Sequence, residues 1–158
     1  MIVISDTSPI TNLAAIGQLD LLRELFGRVL IAESVIRELR QGTGHPGLEV
    51  TQYDWVEIRS AADRAQVEEF ERTLDEGEAE TIALAIEVHA DWTLIDERLG
   101  RAIAEQHGLK VIGVLGVLVR AKRTGLISAI KPLVEQLEHN GFRMDASLVS
   151  RILEQVNE

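Results

Sequence analysis

Short apolar runs of strand length alternate along the chain with longer segments whose apolar residues recur at helical spacing, the pattern of a parallel sheet with helical crossovers. Strands are predicted at Ile2–Ser5, Arg28–Ala32, Trp55–Ile58, Trp92–Ile95 and Lys110–Ile112. Ser8 followed by Pro9 predicts an N-cap with proline at the first helical position, and Ile10, Leu13, Ala14 and Ile16 then share one face as far as Gly17. Further helices are expected over about Leu19–Phe26, Ser34–Arg40, Ala61–Leu74, Glu78–His89, Glu97–His107, Val114–Thr124, Ala129–His139 and Ala146–Val156. Gln41–Gly47, with three glycines and a proline, reads as a loop and as the most mobile segment. The expectation is one α/β domain over residues 1–158, its C-terminal helices (about 128–158) extending the core.

Composition supports this and removes several chemistries. A chain of 158 residues, 46% hydrophobic and 27% charged, can bury a core without disulfides or a structural metal. It has no cysteine, which excludes disulfide frameworks, thiolate zinc sites, iron–sulfur clusters and cysteine nucleophiles, and fits a reducing cytoplasm. The apolar stretch Val111–Val119, broken by glycines, is far short of the roughly 20 residues that cross a bilayer. The start MIVISDTSPI has no basic n-region and meets Asp6 early, so it reads as a strand rather than a signal peptide.

Twenty-six acidic against sixteen basic residues give a net charge of −10, which argues against nucleic-acid retention as the main task. The charge is unevenly spread, however. Glu49–Asp91 holds thirteen acidic and three basic residues, whereas Glu97–Pro132 holds two acidic and seven basic, so one face is expected to be cationic.

Two strands end alike, Val3-Ile4-Ser5-Asp6 and Thr93-Leu94-Ile95-Asp96, each placing a carboxylate past the carboxyl end of an apolar run. Ligands of open parallel sheets sit there, at the point where strand order reverses. Ser8 already supplies a cap, which leaves Asp6 free, whereas Asp96 can equally cap the helix that follows it. Glu38 lies three residues after Val35 and beside Leu39, and Glu78 precedes Ile82 and Ala85 by four and seven, so both belong to apolar stripes. Glu80, stacked on Leu84, competes with Glu78 on spacing, and Glu78 can also be explained as favourable charge at a helix N-terminus. Clustered carboxylates need cations, and all-oxygen ligation favours Mg²⁺ or Mn²⁺. His45, His89, His107 and His139 show no paired ligand spacing, and no P-loop, Ser-His-Asp set or dinucleotide fingerprint is present.

SDTSP at 5–9, VIREL at 35–39, GEAETIALA at 77–85, LIDERLGRAIAEQHGL at 94–109, GVLGVLVRAKRTGLI at 113–127 and GFRMDASL at 141–148 together resemble the PIN-domain superfamily, and within it the DUF3368 branch. The resemblance covers nearly the whole chain. It implies a three-layer fold around a parallel four- to five-stranded sheet, and a metal-dependent ribonuclease of the kind found as VapC-type toxins beside small antitoxin-like partners. Matched by position, Asp6, Glu38, Glu78 and Asp96 correspond to the family's four acids around Mg²⁺ or Mn²⁺, and Ser8 to the hydroxyl residue that supports the first. Most PIN nucleases carry aspartate at the third acid; Glu78 is one methylene longer and would shift the metal or require the helix to stand further back. Arg98, Arg101, Arg120, Lys122 and Arg123 are the candidates for contact with RNA. The closing helices are candidates for homodimer or partner contact. Two other classes remain open: a non-catalytic PIN-like module that binds RNA or protein, and an aspartyl phosphotransferase with Asp6 as nucleophile, against which Ser8 stands where a second acid would be needed.

Overall fold

The computed structural model describes residues 1–41 and 46–158, so residues 42–45 of the expected mobile loop, His45 among them, lie outside the described residues. Five strands, β1 (Val3–Ser5), β2 (Val29–Ala32), β3 (Val56–Arg59), β4 (Trp92–Leu94) and β5 (Val111–Ile112), form one sheet in the order β3-β2-β1-β4-β5. Every pairing is parallel. Central strands of a parallel sheet are covered on both faces, which is why β1 and β2 are buried throughout and, Ser5 apart, apolar rather than alternating. The edge strand β3 is only partly covered and carries Glu57 and Arg59, whose charges discourage further pairing.

Nine α-helices stand among the described residues: α1 (Thr7–Ala15), α2 (Asp20–Phe26), α3 (Glu33–Gln41), α4 (Arg64–Glu71), α5 (Glu76–Glu87), α6 (Arg98–Gln106), α7 (Val114–Arg123), α8 (Lys131–His139) and α9 (Ala146–Gln155). A short 3₁₀ turn, Leu48–Gln52, leads into β3. Helix α5 packs on β1, β2 and β4 with α3, α4 and α6 beside it, and α7 packs on α1 and α2. The run Gly77–Ala85 is buried without interruption, making α5 the central helix of the core.

The chain grows from β1 outward through β2 and β3, then returns to place β4 on the other side of β1. Strand order therefore reverses between β1 and β4, and the cleft opens at their carboxyl ends. The amide of Asp6 donates to the carbonyl of Leu94 at 3.0 Å, tying the two strand ends that carry Asp6 and Asp96.

Several helix starts differ from expectation, three of them for a clear local reason. Helix α1 begins at Thr7 with Asp6, extended at φ −74° and ψ 175°, as its N-cap residue, so Ser8 and Pro9 lie inside the first turn. The helix expected over Ala61–Leu74 is the shorter α4, because Asp63 caps it by accepting from the Gln66 amide. Helix α5 starts ahead of Gly77 rather than after it, since Asp75 accepts from the Glu78 amide at 2.8 Å and closes the first turn around the glycine.

Candidate active site

Asp6 is 3% exposed, and its Oδ1 has no hydrogen-bond partner. Although Asp6 is the N-cap residue, its side chain makes no capping bond, so the carboxylate is free for another role. Burial pushes its carboxyl from the ordinary 3.8 up to about 7; the Thr7 amide opposes this, and the charges of Asp75, Glu38 and Asp96 add to it.

Asp96 does not cap the helix that follows it, where Glu97 is the N-cap residue. It caps α7 from outside: Oδ1 accepts the Val114 amide at 2.9 Å, next to Gly113, which has no side chain to do so. Oδ2 faces the Ser8 hydroxyl at 3.5 Å, and Ser8 in turn accepts from the Asn12 amide group at 3.0 Å. Burial raises the Asp96 carboxyl above 3.8, against the pull of the Val114 amide, the Arg101 charge and Ser8.

Glu38 and Glu78 both reach the same cleft, of about 280 Å³, from α3 and α5. Glu38 is exposed on its helix, and its Oε2 accepts from the Thr7 hydroxyl at 2.7 Å. Glu78 is 8% exposed. Burial lifts its carboxyl from 4.5 to about 9, with a hydrogen bond to the Asp75 side chain and the charges of Asp6, Asp75 and Glu97 adding to the shift. Glu78 and Glu80 differ in placement, Glu78 lining the cleft. Glu80 points away into the core, where it accepts from the Ser34 amide and hydroxyl, the Ala61 amide and Arg64.

Three glycines make room for three of these carboxylates. A Cβ on Gly77 would stand 3.0 Å from Glu38 Oε2, one on Gly100 2.5 Å from Glu78 Oε2, and one on Gly113 2.7 Å from Asp96 Oδ1.

Asp75 and Glu97 also line the cleft, and sequence reasoning did not single them out. The Asp75-x-x-Glu78 spacing of a capping box was a usable signal for Asp75. Glu97 is the N-cap residue of α6 without a side-chain capping bond, and no apolar stripe marks it. The RNA candidates divide. Arg98 and Arg101 stand beside Asp96, Arg101 donating to the Ile95 carbonyl at 2.9 Å. Arg120, Lys122 and Arg123 lie in the last turn of α7, a helix whose N-terminus is the end at Asp96, so they sit roughly 10–15 Å away along its axis. Arg120 lies over the rings of Phe26 and Trp92, 5.6 and 5.3 Å from their centroids, and Lys122 binds the Val156 carbonyl and Glu158. The structure thus does not bring these three to the site. Of the described histidines, His107 donates from its ring Nδ1 to the Ile103 carbonyl and packs edge-on to Phe70, away from the cleft.

The donor set fits a hard divalent cation in kind: carboxylate and hydroxyl oxygens, two carboxyls raised by burial and mutual charge, and buried Oδ1 of Asp6 and Oγ1 of Thr11 unpartnered in the same cleft. It is spread around the cleft rather than converged, since among the described residues no three His, Asp or Glu side chains stand close enough to hold an ion.

The fold is a parallel α/β sheet with acids around the cleft at its switch point. The family model for DUF3368, a PIN domain, matches residues 2–158, and the chain belongs to that family. PIN-domain proteins are generally nucleases, generally use divalent metals and often bind RNA. No curated protein matches the chain. No described helix is long and apolar enough to cross a membrane.

Proposed function

We propose that this chain is a Mg²⁺- or Mn²⁺-dependent endoribonuclease of PIN type, the toxin half of a toxin–antitoxin pair, acting on cytoplasmic RNA and restrained by a small antitoxin-like protein. The observation that carries the reading is Asp6 Oδ1, buried without a partner where strand order reverses and surrounded by Glu38, Asp75 and Glu78. Among the described residues no Lys or Arg lines this cleft, so a bound cation would supply the charge that balances its acids.

Asp6 and Asp96 would be the principal ligands, with Glu38 and Glu78 completing the set or orienting water. When bound, the cation supplies Lewis-acid polarisation of a phosphodiester and a more acidic water. Thr7 holds the Glu38 carboxylate, and Ser8 with Asn12 holds that of Asp96, so two of the four acids are fixed in direction before anything binds. Burial, with the Asp75 side chain beside it, raises the Glu78 carboxyl to about 9, so it holds a proton at neutral pH, one that a cation would release. Residues 1–158 act in this reading as one catalytic unit, and the segment from about 128 onward offers the surface for homodimer or antitoxin contact.

A second reading, a non-catalytic PIN-like module binding RNA or protein, is favoured by one observation, the spread of the carboxylates around the cleft. Metal response separates the two. The nuclease should gain melting temperature in millimolar Mn²⁺ and cleave unstructured RNA, and Asp6→Asn should lose most of both. A parent protein indifferent to Mn²⁺ and unable to cut RNA would leave the binding module.

A further inference from the structure

Next to the acidic cleft lies a second one of about 460 Å³, and the two share the wall formed by Ser8, Asn12 and Glu97. The far side of this second cleft comes from the turn between α8 and α9, which contributes Asn140, Phe142 and Arg143, and from Arg98 at the start of α6. Arg143 and Phe142 also line a third cleft, of about 420 Å³, on the other side of Asp96. Arg98 and Arg143 are exposed, and neither makes a hydrogen bond or ion pair among the described residues. Two unspent guanidinium groups therefore face a groove that runs directly into the acids of an otherwise strongly anionic protein.

We propose that this groove is the subsite for the RNA strand next to the bond being cut: Arg98 and Arg143 take the adjacent phosphate, and Phe142 meets a neighbouring base. The inference rests on the endoribonuclease reading and deepens it. The chemistry matches on each part. Guanidinium groups bind phosphate by paired N–H donors, the Asn12 and Asn140 amides and the Ser8 hydroxyl add neutral donors, and an aromatic ring stacks on any base. Phe142 is itself packed against the core, so its position is set before the strand arrives. Asp96 and Glu97 on the wall would repel a phosphate on their own; the cation of the neighbouring cleft offsets them, which orders the two events as metal first and strand second. The groove also explains how a chain of net charge −10 can hold RNA at all, since the attraction is local and adjacent to the acids rather than spread over a basic face.

The test measures binding of an unstructured oligoribonucleotide, about a dozen nucleotides long, in Ca²⁺ at several salt concentrations. Parent, Arg98→Ala/Arg143→Ala, Arg143→Lys and a control, Arg123→Ala, are compared, with the Mn²⁺-induced rise in melting temperature recorded for each. The double variant should bind roughly tenfold or more weakly and flatten the log–log salt slope by about 0.7 per lost phosphate contact. Arg143→Lys should retain the slope while losing part of the affinity, Arg123→Ala should match the parent, and the Mn²⁺ response should be intact in all four. A double variant with the parent's affinity and slope would overturn the subsite while leaving the nuclease reading in place. A double variant that loses affinity for polyglutamate but not for RNA would assign the groove to an acidic protein segment instead. A parent that neither responds to Mn²⁺ nor binds RNA would remove the reading and the subsite together.

Discussion

Gly100 of α6 and Glu78 of α5 stand so close that a Cβ on the glycine would fall 2.5 Å from Glu78 Oε2. Alanine is normally the better helix residue here by about 1 kcal/mol. That preference and the position of the carboxylate are incompatible, and Ile95 Cγ2 at 3.2 Å leaves little room on the other side. The clashing atom is the far end of a flexible side chain, so Gly100→Ala should fold, with metal-free stability within about 1 kcal/mol of the parent. The rise in melting temperature produced by Mn²⁺ should fall by at least half, because Glu78 is displaced from the cleft. Thermal melts with and without Mn²⁺ check this; an undiminished rise would show that Glu78 is not needed for the cation.

The pH dependence follows from the raised acids. Asp6, moved from 3.8 to about 7, holds its proton more tightly in the metal-free folded protein than in the unfolded chain. The stability it contributes is complete below 3.8 and lost as pH rises through about 7. Glu78, moved from 4.5 to about 9, acts in the same direction and carries the loss further into the alkaline range. Metal-free protein should therefore be less stable at about pH 8 than at about pH 5, by on the order of 2–4 kcal/mol. Asp6→Asn should reduce that slope below about pH 7 and leave the share due to Glu78, and Mn²⁺ should restore stability most at high pH. Urea titrations across the range, in chelator and in Mn²⁺, supply the measurement, and a metal-free profile that rises with pH would contradict the assignment.

The sheet was legible because a parallel strand buried on both faces leaves an uninterrupted apolar run, as in Val29–Ala32. Asp6 and Asp96 were legible for the related reason that such a run ends abruptly at the site. Helix boundaries were less so, because they are decided by caps. Asp75 drew Gly77 into α5, and Asp6 took the N-cap position in place of Ser8. Charge patterning located cationic sequence but not its direction: Arg120 and Arg98 belong to the same basic stretch, yet one lies over Trp92 at the amino end of β4 and the other opens onto Asp96 beyond its carboxyl end. Arg143 carried no signal, since a residue in a turn has neither helical nor strand period to place it.

Glu80 is the acid that belongs to the scaffold. Its side chain is 2% exposed, and it accepts from Ser34 N–H at 2.9 Å, Ser34 Oγ at 2.8 Å, Ala61 N–H at 3.2 Å and Arg64 at 2.5 Å. Burial alone would raise its carboxyl, but these donors outweigh burial and hold it below the ordinary 4.5. The stabilisation is thus present above 4.5 and lost as pH falls. Glu80→Gln turns one acceptor oxygen into a donor facing donors and should cost about 2–3 kcal/mol at neutral pH. The Mn²⁺-induced rise in melting temperature should be unchanged. A stable Glu80→Gln protein that has lost its metal response would exchange the roles of Glu80 and Glu78.

Glu158 ties the last three helices together. Its Oε2 accepts from Lys122 Nζ at 2.9 Å and from the Ile130 amide at 2.8 Å, and its Oε1 accepts from the Lys131 amide at 3.0 Å. Helix α8 has Ile130 as its N-cap residue and so no cap of its own; the carboxylate of Glu158 supplies the missing acceptors from the far end of the chain. Lys122 also donates to the Val156 carbonyl at 2.6 Å, so α7 is fastened to the residues just after α9 by the same group. Burial opposes the charge, but the Ile130 amide, Lys122 and the Lys131 amide outweigh it and bring the carboxyl from 4.5 down to about 2. A lowered acid stabilises above its ordinary value, and the contribution fades as pH falls from 4.5 toward about 2. Glu158→Gln should cost about 1–2 kcal/mol at neutral pH, less than full truncation because the amide oxygen still accepts one bond. The gap between parent and variant should shrink steadily in acid, and Mn²⁺ response and RNA affinity should be untouched, since the tie lies at the opposite end of α7 from Asp96. Urea denaturation at neutral and acid pH reads this directly. Equal stability of the two proteins at neutral pH would show that α8 is held in place without the carboxylate.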